Sequence, residues 1–313
     1  MIRIIKYTQE LECQWNRFVN ESRNGIFLFN RNYMDYHSDR FIDYSLMFYD
    51  DNTNKLVAVL PANIVDNKIY SHQGLTFGGL IYEVKTRLQT VIECFEELVL
   101  YMRNNNIVSL IYKKIPYTYI EYPSDEDIYS LFRLNAKLLK TEPSTAIKLD
   151  TPFKFSKGRK SQIAKARKLD VQVTTSDDFE SFINLENQVL LARHNTVAVH
   201  TASELEMLYS KFPNNIKLIT SSYKGAIVAG GLLYIYKNLV HTQYLATNDI
   251  GREIGGLDIL LNSQIDFYKE DKIYFDFGIS SENGGLLLNT GLISQKEGFG
   301  ARTIVHNTFL LEV

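Results

Sequence analysis

Between residues 215 and 247 three strand-like runs, NIKLITSSY, AIVAGGLLYIY and LVHTQYLAT, follow one another with only Lys224-Gly225 and Lys237-Asn238 between them. Gaps of that length join antiparallel neighbours, because a parallel crossover needs about a dozen residues or more. An antiparallel meander is therefore required here. A glycine-rich stretch, Asp249–Gly256, follows it and opens a helical pattern reaching about Glu270, and the run KIYFDFGIS supplies a further strand. Strands, then a helix, then a strand argue for an α+β fold with mixed, mainly antiparallel sheets flanked by helices, and against a doubly wound sheet.

The remaining segments repeat this plan loosely, without an exact sequence repeat. The first half reads as a short strand (Ile2 to Tyr7), an amphipathic helix around Glu10–Ser22 and an aromatic segment, FLFNRNYMDYHSDRF. Three strand patterns follow: SLMFYDD, KLVAVLPANIVDN and KIYSHQGLTFGGLIY. The clearest helix is Thr86–Asn105, where Leu88, Val91, Ile92, Phe95, Leu98, Val99 and Met102 recur at the spacing of one apolar face. After it come the strand VSLIYKKIP and a helix, IYSLFRLNAKLL, with Ser124 and Asp127 as its capping signal. The second half opens with the strand STAIKLD, the basic helix KGRKSQIAKARKL and the strand VQVTTS. Helices at Asp177–Arg193 and Ser203–Phe212 precede the meander, the latter with Ser203 and Glu206 as its cap. A short helix near Leu286–Gln295 and terminal strands in ARTIVHNTFLLEV close the chain. With 313 residues, two domains are expected, 1–145 and 146–313, meeting where Pro143, Thr151-Pro152 and the basic stretch cluster.

Bulk properties exclude several classes. A formal charge of −2, from 34 Lys plus Arg and 36 Asp plus Glu, gives no global field for DNA or anionic lipid. The two cysteines, Cys13 and Cys94, fall in helical patterns and read as core thiols. They and the six histidines show no metal-ligand spacing, so no metal is expected. No apolar run approaches the roughly 18 residues of a membrane span, and the N-terminus lacks a signal-peptide pattern, so a cytoplasmic protein is expected.

Several residues are candidates for chemistry. In the stretch 249–256, Gly251, Arg252, Gly255 and Gly256 suit a phosphate at a helix start, the alternative being a plain turn. Asp258, in that helix's first turn, would accept donors from a substrate or complement the helix dipole. Asp276, on an aromatic strand, needs a buried partner that a substrate amine or an arginine would supply. His72 and Gln73 stand at the rim of a glycine turn, where His72 would deprotonate an ammonium or serve as a hydrogen-bonded structural residue. Tyr36 and His37, with Asp39 and Arg40, form a dense polar-aromatic cluster that suits a sugar or nucleotide pocket, or else an irregular surface helix. His241, Gln243 and Tyr244 lie on the central meander strand, where alternation places His241 and Gln243 on one face. The basic run Lys154–Lys168 contains no acid and would grip a phosphate or tRNA, or form a solvated helix between domains.

Some of these segments resemble a known family. KGRKSQIAKARKLDVQV is similar to the entry into the second domain of Fem-type peptidoglycan aminoacyltransferases and their acetyltransferase-like relatives. YFDFGIS resembles that family's Y-D-F-G strand, and GLLLNTGLISQKEGFGAR its closing G-L-x-x-F-K-x-x-F-G, with Lys296, Phe299 and Gly300 in order. The meander, stretch and helix between them resemble the acetyltransferase (GNAT) fold. YMDYHSDRF and SHQGLTFGG resemble the first half of the acetyltransferase-like group found in surface-polysaccharide gene sets. The resemblance covers most of the chain, most specifically Ser156 to Arg302. One departure is Leu257, where the family's pyrophosphate loop ends in a small residue.

What the resemblance implies is a pair of tandem GNAT-like domains with a cleft, transferring an acyl group to an amine. The donor would be an acyl-CoA such as acetyl-CoA, held by Gly251, Arg252, Gly255 and Gly256. His72, Asp276 and Tyr244 would be catalytic. Tyr36, His37, Gln73, His241, Gln243, Asp258 and Lys296 would bind substrate. The acceptor expected is an amino sugar or a nucleotide- or lipid-linked precursor of the cell envelope. Two alternatives stay open: aminoacyl-tRNA-dependent transfer of the Fem type, and a non-catalytic carbohydrate- or nucleotide-binding module.

Overall fold

The computed structural model describes the backbone of residues 1–313 and all side chains except those of Arg193 and His194. The chain forms two compact units, residues 1–142 with 305–313, and residues 143–304.

Unit 1 contains strand β1 (Ile2–Lys6), helices α1 (Glu12–Glu21) and α2 (Arg31–Met34), and strands β2 (Leu46–Asp50), β3 (Lys55–Leu60), β4 (Asn63–Val65), β5 (Lys68–Tyr70) and β6 (Ile81–Tyr82). Helix α3 (Leu88–Asn104), strand β7 (Ser109–Lys113), helix α4 (Glu126–Arg133) and the first part of β8 (Lys137–Lys148) follow. One sheet has the order β1-β2-β3-β6, and a mixed sheet runs β4-β5-β7-β16-β8, where β16 is Arg302–Glu312. Helix α3 places Val91, Phe95, Leu98 and Met102 in a core with Leu46, Phe48 and Leu110. Each such side chain stabilises the fold by about 1.5–3 kcal/mol. That core is what the 3–4 spacing of α3 required.

Two strand patterns in unit 1 break where single residues forbid continuity. The expected strand KLVAVLPANIVDN divides at Pro61, whose missing N–H cannot continue a ladder, so β3 and β4 lie in different sheets. KIYSHQGLTFGGLIY divides likewise, because His72 at φ 65 and Gly79 at φ 98 turn the backbone out of the extended region. Asp66 and Asn67, at φ 46 and 57, make the expected hairpin turn between β4 and β5. Helix α4 is shorter than expected. It stops before Asn135 at φ 57, and Lys137 onward is strand β8; Asp127 bonds Tyr112 and Lys114 instead of capping. Cys13 is exposed, not a core thiol, while Cys94 is buried.

Unit 2 holds the second part of β8, α5 (Lys157–Lys168), β9 (Gln172–Ser176), α6 (Phe179–His194) and α7 (Ala202–Lys211). The meander is β10 (Ile216–Tyr223), β11 (Ala226–Ile235) and β12 (Leu239–Thr247). Then come α8 (Asp249–Ile254), α9 (Gly256–Tyr268), β13 (Tyr274–Ile279), a hairpin of β14 (Ser281–Glu282) and β15 (Leu287–Leu288), and α10 (Thr290–Glu297). The sheet order is β8-β13-β12-β11-β10-β9, antiparallel except for the β12–β13 pair. Leu260, Leu261 and Ile265 of α9 pack on Leu233, Val240 and Phe275 of this sheet. The cap of α7 is Thr201 with Glu204, two positions before the expected one. Residues 305–313 return to unit 1, where Thr308 to Glu312 pair with β7. The expectation that everything after 146 forms one domain differs from this, because backbone pairing, not sequence order, decides where a terminal strand belongs.

Candidate functional site

Strands β12 and β13 run parallel for three rungs, Leu239–Tyr274, Val240–Phe275 and His241–Asp276, and then continue without pairing. Gly278, at φ 76, turns β13 just past the last rung, and the pairing of β13 with β8 shifts between Asp276 and Ile279. The last rung is pinned by side chains. His241 Nδ1 donates to Asp276 Oδ2 at 2.7 Å, and Ser144 Oγ donates to Asp276 Oδ1 at 2.8 Å. Asp276 is fully buried, so its partner is internal, in place of the substrate amine or arginine that the sequence suggested. Lys296 Nζ donates to the carbonyls of Gly278 at 2.9 Å and Ile279 at 2.7 Å, which holds the departing end of β13. Burial pulls Lys296 down to about 8 although Asp276 opposes the shift.

A cavity of about 460 Å³ lies against the far part of β12. Leu245 and Thr247 line it from β12, Gly251 and Arg252 from α8, and Leu257 and Asp258 from α9. Helix α5 contributes Arg159 and Gln162, α6 Glu186, Val189 and Leu190, and α10 Leu292 and Gln295. Arg159 donates to Asp258 at 2.6 Å. Burial lifts the Asp258 carboxyl above its usual range while the Arg159 charge pulls it back. Arg252 donates to Asp249 at 2.5 Å and to the Thr247 carbonyl at 2.9 Å. Glu186 is 7% exposed, its Oε2 has no hydrogen-bond partner among the described residues, and burial raises its pKa to about 7.

The expected glycine-rich loop is instead a one-turn helix and a kink. Asn248 caps α8 by accepting from the Gly251 N–H at 2.8 Å, and the Gly255 N–H bonds the Gly251 carbonyl. Gly255 joins α8 to α9 in the left-handed region at φ 78, and a Cβ there would stand 2.4 Å from the Gln162 carbonyl oxygen. Those two amides are thus engaged inside the protein and are not a phosphate cradle. A β-carbon on Gly251 would meet the Val228 carbonyl oxygen at 2.2 Å, so close packing against β11 accounts for that glycine.

Of the residues expected from the sequence, the cavity gathers Gly251, Arg252 and Asp258. His241, Asp276 and Lys296 gather at the parting of β12 and β13. The alternation expected for β12 fails, because Leu232 opposes Tyr244 and Leu233 opposes Thr242, leaving Gln243 as the extra residue of a bulge. Tyr244 Oη lies 2.6 Å from His200 Nδ1. Gly256 opens α9 against Val228 and Ser221.

In unit 1 the expected His37 and His72 are buried in an aromatic cluster, Tyr36 is half-buried beside them, and Gln73 is exposed. His72 stacks on His37 with centroids 5.0 Å apart, Tyr36 lies 4.3 Å from His37, and Gln73 exchanges hydrogen bonds with Asn63. Burial first, then the charges of His37, Lys113 and Arg31, push His72 down to about 2. An imidazole held there is a feeble base, which argues against the role expected of it. The solvated-helix reading of the basic run is corrected in part: Ile163 and Ala166 of α5 are buried and Arg159 reaches the cavity, while Lys157, Lys160, Arg167 and Lys168 are exposed.

The sequence reading missed Gln162 and Glu186, and took Arg159 only as a member of the basic run Lys154–Lys168. Glu186 carried a signal, since it continues the apolar stripe of Phe179, Phe182 and Ile183 at helical spacing. A carboxylate on such a stripe is buried or aimed into a cavity. Among the described residues no cluster of His, Cys, Asp or Glu is arranged to hold a metal, and no helix is long and apolar enough to cross a membrane.

Residues 154–283 match the family model of an acetyltransferase (GNAT) domain. No curated protein sequence matches the chain. Among solved structures, FemX is similar at a TM-score of 0.70 and 10% identity, over 99% of this chain and 97% of that one. The C-terminal domain of a putative lysylphosphatidylglycerol synthetase from Agrobacterium fabrum is similar at 0.62 and 10% identity, over 97% and 92%. A tandem GNAT protein from the clavulanic acid biosynthesis pathway is similar at 0.52 and 10% identity, over 99% and 98%. The fold is that of two tandem GNAT-like domains, as in the FemAB-related group.

Proposed function

We propose that this tandem GNAT-like chain is an N-acyltransferase that moves an acyl group from an acyl-CoA, such as acetyl-CoA, directly to an amine. The observation that carries this reading is the parting of β12 and β13 after the His241–Asp276 rung, beside the cavity of about 460 Å³. Parted strands leave backbone N–H and C=O groups of β12 without a ladder partner on that side, and such groups can polarise a thioester carbonyl. The donor's phosphates would lie toward Arg252. The amine nitrogen attacks the thioester carbon, the carbon–sulfur bond breaks, and the thiolate leaves as the amine gives up its proton. Proximity in the cavity supplies much of the rate. An acyl-enzyme through Cys94 is disfavoured, because burial drives that thiol's pKa upward.

His241, Asp276 and Ser144 serve in this reading as the pin that fixes where the strands part. Tyr244, Gln243 and Lys296 would border the acyl group. The acceptor would be an amino sugar or a nucleotide- or lipid-linked precursor of the cell envelope, a class in keeping with the likeness to a lysylphosphatidylglycerol synthetase domain. The proposed setting is the cytoplasm, where acyl-CoA is made.

The test is thermal stabilisation of the purified protein by acetyl-CoA, longer acyl-CoAs and free CoA. A shift with the thioesters, abolished by Leu292→Trp, which fills the cavity from α10, supports the reading. Absence of any shift sinks it.

A second reading, aminoacyl transfer from tRNA, is favoured by one observation: Lys157, Lys160, Arg167 and Lys168 are exposed on α5, a helix without an acidic residue. It requires tRNA binding that weakens steeply between 50 and 200 mM salt, about tenfold or more for a few phosphate contacts.

A further inference from the structure

We propose that Glu186 is a catalytic residue, which holds the ammonium of the acceptor in the unit 2 cavity and takes up its proton. This deepens the acyltransferase reading and rests on it for the chemical step, but not for the amine site itself.

Among the described residues four charged side chains line the cavity: Arg159, Glu186, Arg252 and Asp258. Three of them are committed elsewhere. Arg159 of α5 and Asp258 of α9 neutralise each other at 2.6 Å, and Arg252 of α8 is held by Asp249 at 2.5 Å. Among the described residues Glu186 of α6 has no ion-pair partner, and its Oε2 is buried with no hydrogen-bond partner. A second buried acceptor in the same cavity, Gln162 Oε1 of α5, has no hydrogen-bond partner among the described residues either. Buried acceptors are ordinarily satisfied. Two orphaned acceptors in one cavity suit a ligand rich in N–H donors, and an ammonium group brings three. An anionic donor group would find no welcome at these acceptors, which separates the acceptor's place from the phosphates' place near Arg252.

The location suits the chemistry. Glu186 sits on the middle of α6 and lines the same cavity as the first turn of α9 and Leu245 and Thr247 of β12. Burial alone accounts for its raised pKa, about 7, with no charged neighbour among the causes. A carboxyl in that range is a better proton acceptor at neutral pH than an ordinary glutamate. In the step, the ammonium gives one proton to Glu186, and the nitrogen lone pair attacks the thioester carbon. The carbon–sulfur bond then breaks, the thiolate takes the second proton from the nitrogen and leaves as the free thiol, and solvent takes the first proton from Glu186, restoring the carboxylate.

The experiment compares the wild-type protein with Glu186→Gln, which keeps shape and removes charge, and with Glu186→Asp. Calorimetric titration with ethanolamine, glucosamine and glycine amide as probes reads the amine site without any donor. Binding by the wild type to at least one probe, weakened tenfold or more in Glu186→Gln and partly restored in Glu186→Asp, is expected. No amine binding by the wild type, or equal binding by Glu186→Gln, overturns the proposal. With acetyl-CoA added, transfer to the bound amine is expected to fall at least a hundredfold in Glu186→Gln. Stabilisation by acetyl-CoA stays unchanged, and the ascending limb of the pH–rate profile near 7 disappears. If acetyl-CoA stabilises both proteins and the variant transfers at the wild-type rate, the role of Glu186 fails and the acyltransferase reading stands. If amines bind through Glu186 but acetyl-CoA neither binds nor reacts, the acyl-CoA reading fails and the amine site stands.

Discussion

His241 Nδ1 and Asp276 Oδ2 meet at 2.7 Å on the last rung that β12 and β13 share, so a side-chain hydrogen bond marks where the two strands separate. Asp276 is held on its other side by Ser144 of β8, which ties three adjacent strands together at that point. The mouth beside β12 is therefore positioned by a buried polar network, and such networks fix one arrangement only when every member is satisfied.

Removing the centre of that network should be costly. Asp276→Ala leaves His241 and Ser144 without their shared acceptor and should lower stability by about 3 kcal/mol. Asp276→Asn keeps one acceptor and should cost roughly half as much. Urea unfolding monitored by fluorescence and by circular dichroism measures both, and equal stability of all three proteins would remove the pin from the account.

Glu186 gives the protein a stability that depends on pH in a defined direction. Its carboxyl titrates near 4.5 in an unfolded chain and at about 7 in the folded one. Between these values the folded state binds the extra proton, so the contribution is fully present below 4.5, declines as pH rises, and is gone above about 7. Glu186→Gln cannot ionise and should be more stable than the wild type above pH 7, by up to about 3 kcal/mol. The two should converge below pH 4.5. Melting curves from pH 4 to 8 test it; parallel curves would show that Glu186 is solvated.

His72 acts in the opposite sense. It titrates near 6.5 when unfolded and at about 2 when buried beside His37, so the unfolded state takes the proton first. Stability should fall as pH drops below 6.5, by at most about 1.4 kcal/mol per pH unit from this group. His72→Asn, which tolerates the φ of 65, should flatten that slope. Acid titration of unfolding in both proteins is the measurement. An unchanged slope would mean that His72 is protonated in the folded protein.

Gly255→Ala should destabilise unit 2 by about 2 kcal/mol or more, because the position has φ 78 and the new Cβ would stand 2.4 Å from the Gln162 carbonyl oxygen. The same clash should loosen Gln162 and so weaken amine binding in the cavity. A variant with wild-type melting and binding would show that α8 and α9 can separate without cost.

Much of the fold was legible. The two-residue turns at Lys224-Gly225 and Lys237-Asn238 required the meander β10–β12, and the apolar spacing of α3 required its buried face. Breaks inside strands were harder: Pro61 was visible, yet that β3 and β4 enter different sheets follows from pairing partners distant in sequence. Of the site, Arg252, Asp258, His241, Asp276 and Lys296 stood out as polar residues in apolar or glycine-rich settings. Gln162 lay on a basic helix and did not, while Glu186 carried its signal only as a carboxylate on the apolar stripe of α6.

The order of the elements, the turns and the core faces of the helices were determined by the sequence, because they depend on neighbours three or four positions away and on local backbone preferences. The tertiary structure alone decided that residues 305–313 return to unit 1, that Asp276 is answered by His241 and Ser144, and that Arg159 cancels Asp258 while Glu186 Oε2 finds no hydrogen-bond partner among the described residues. Ionic and hydrogen-bond partners are chosen by distance in space between groups that lie far apart in sequence, and that distance exists only once the sheet and its helices have packed.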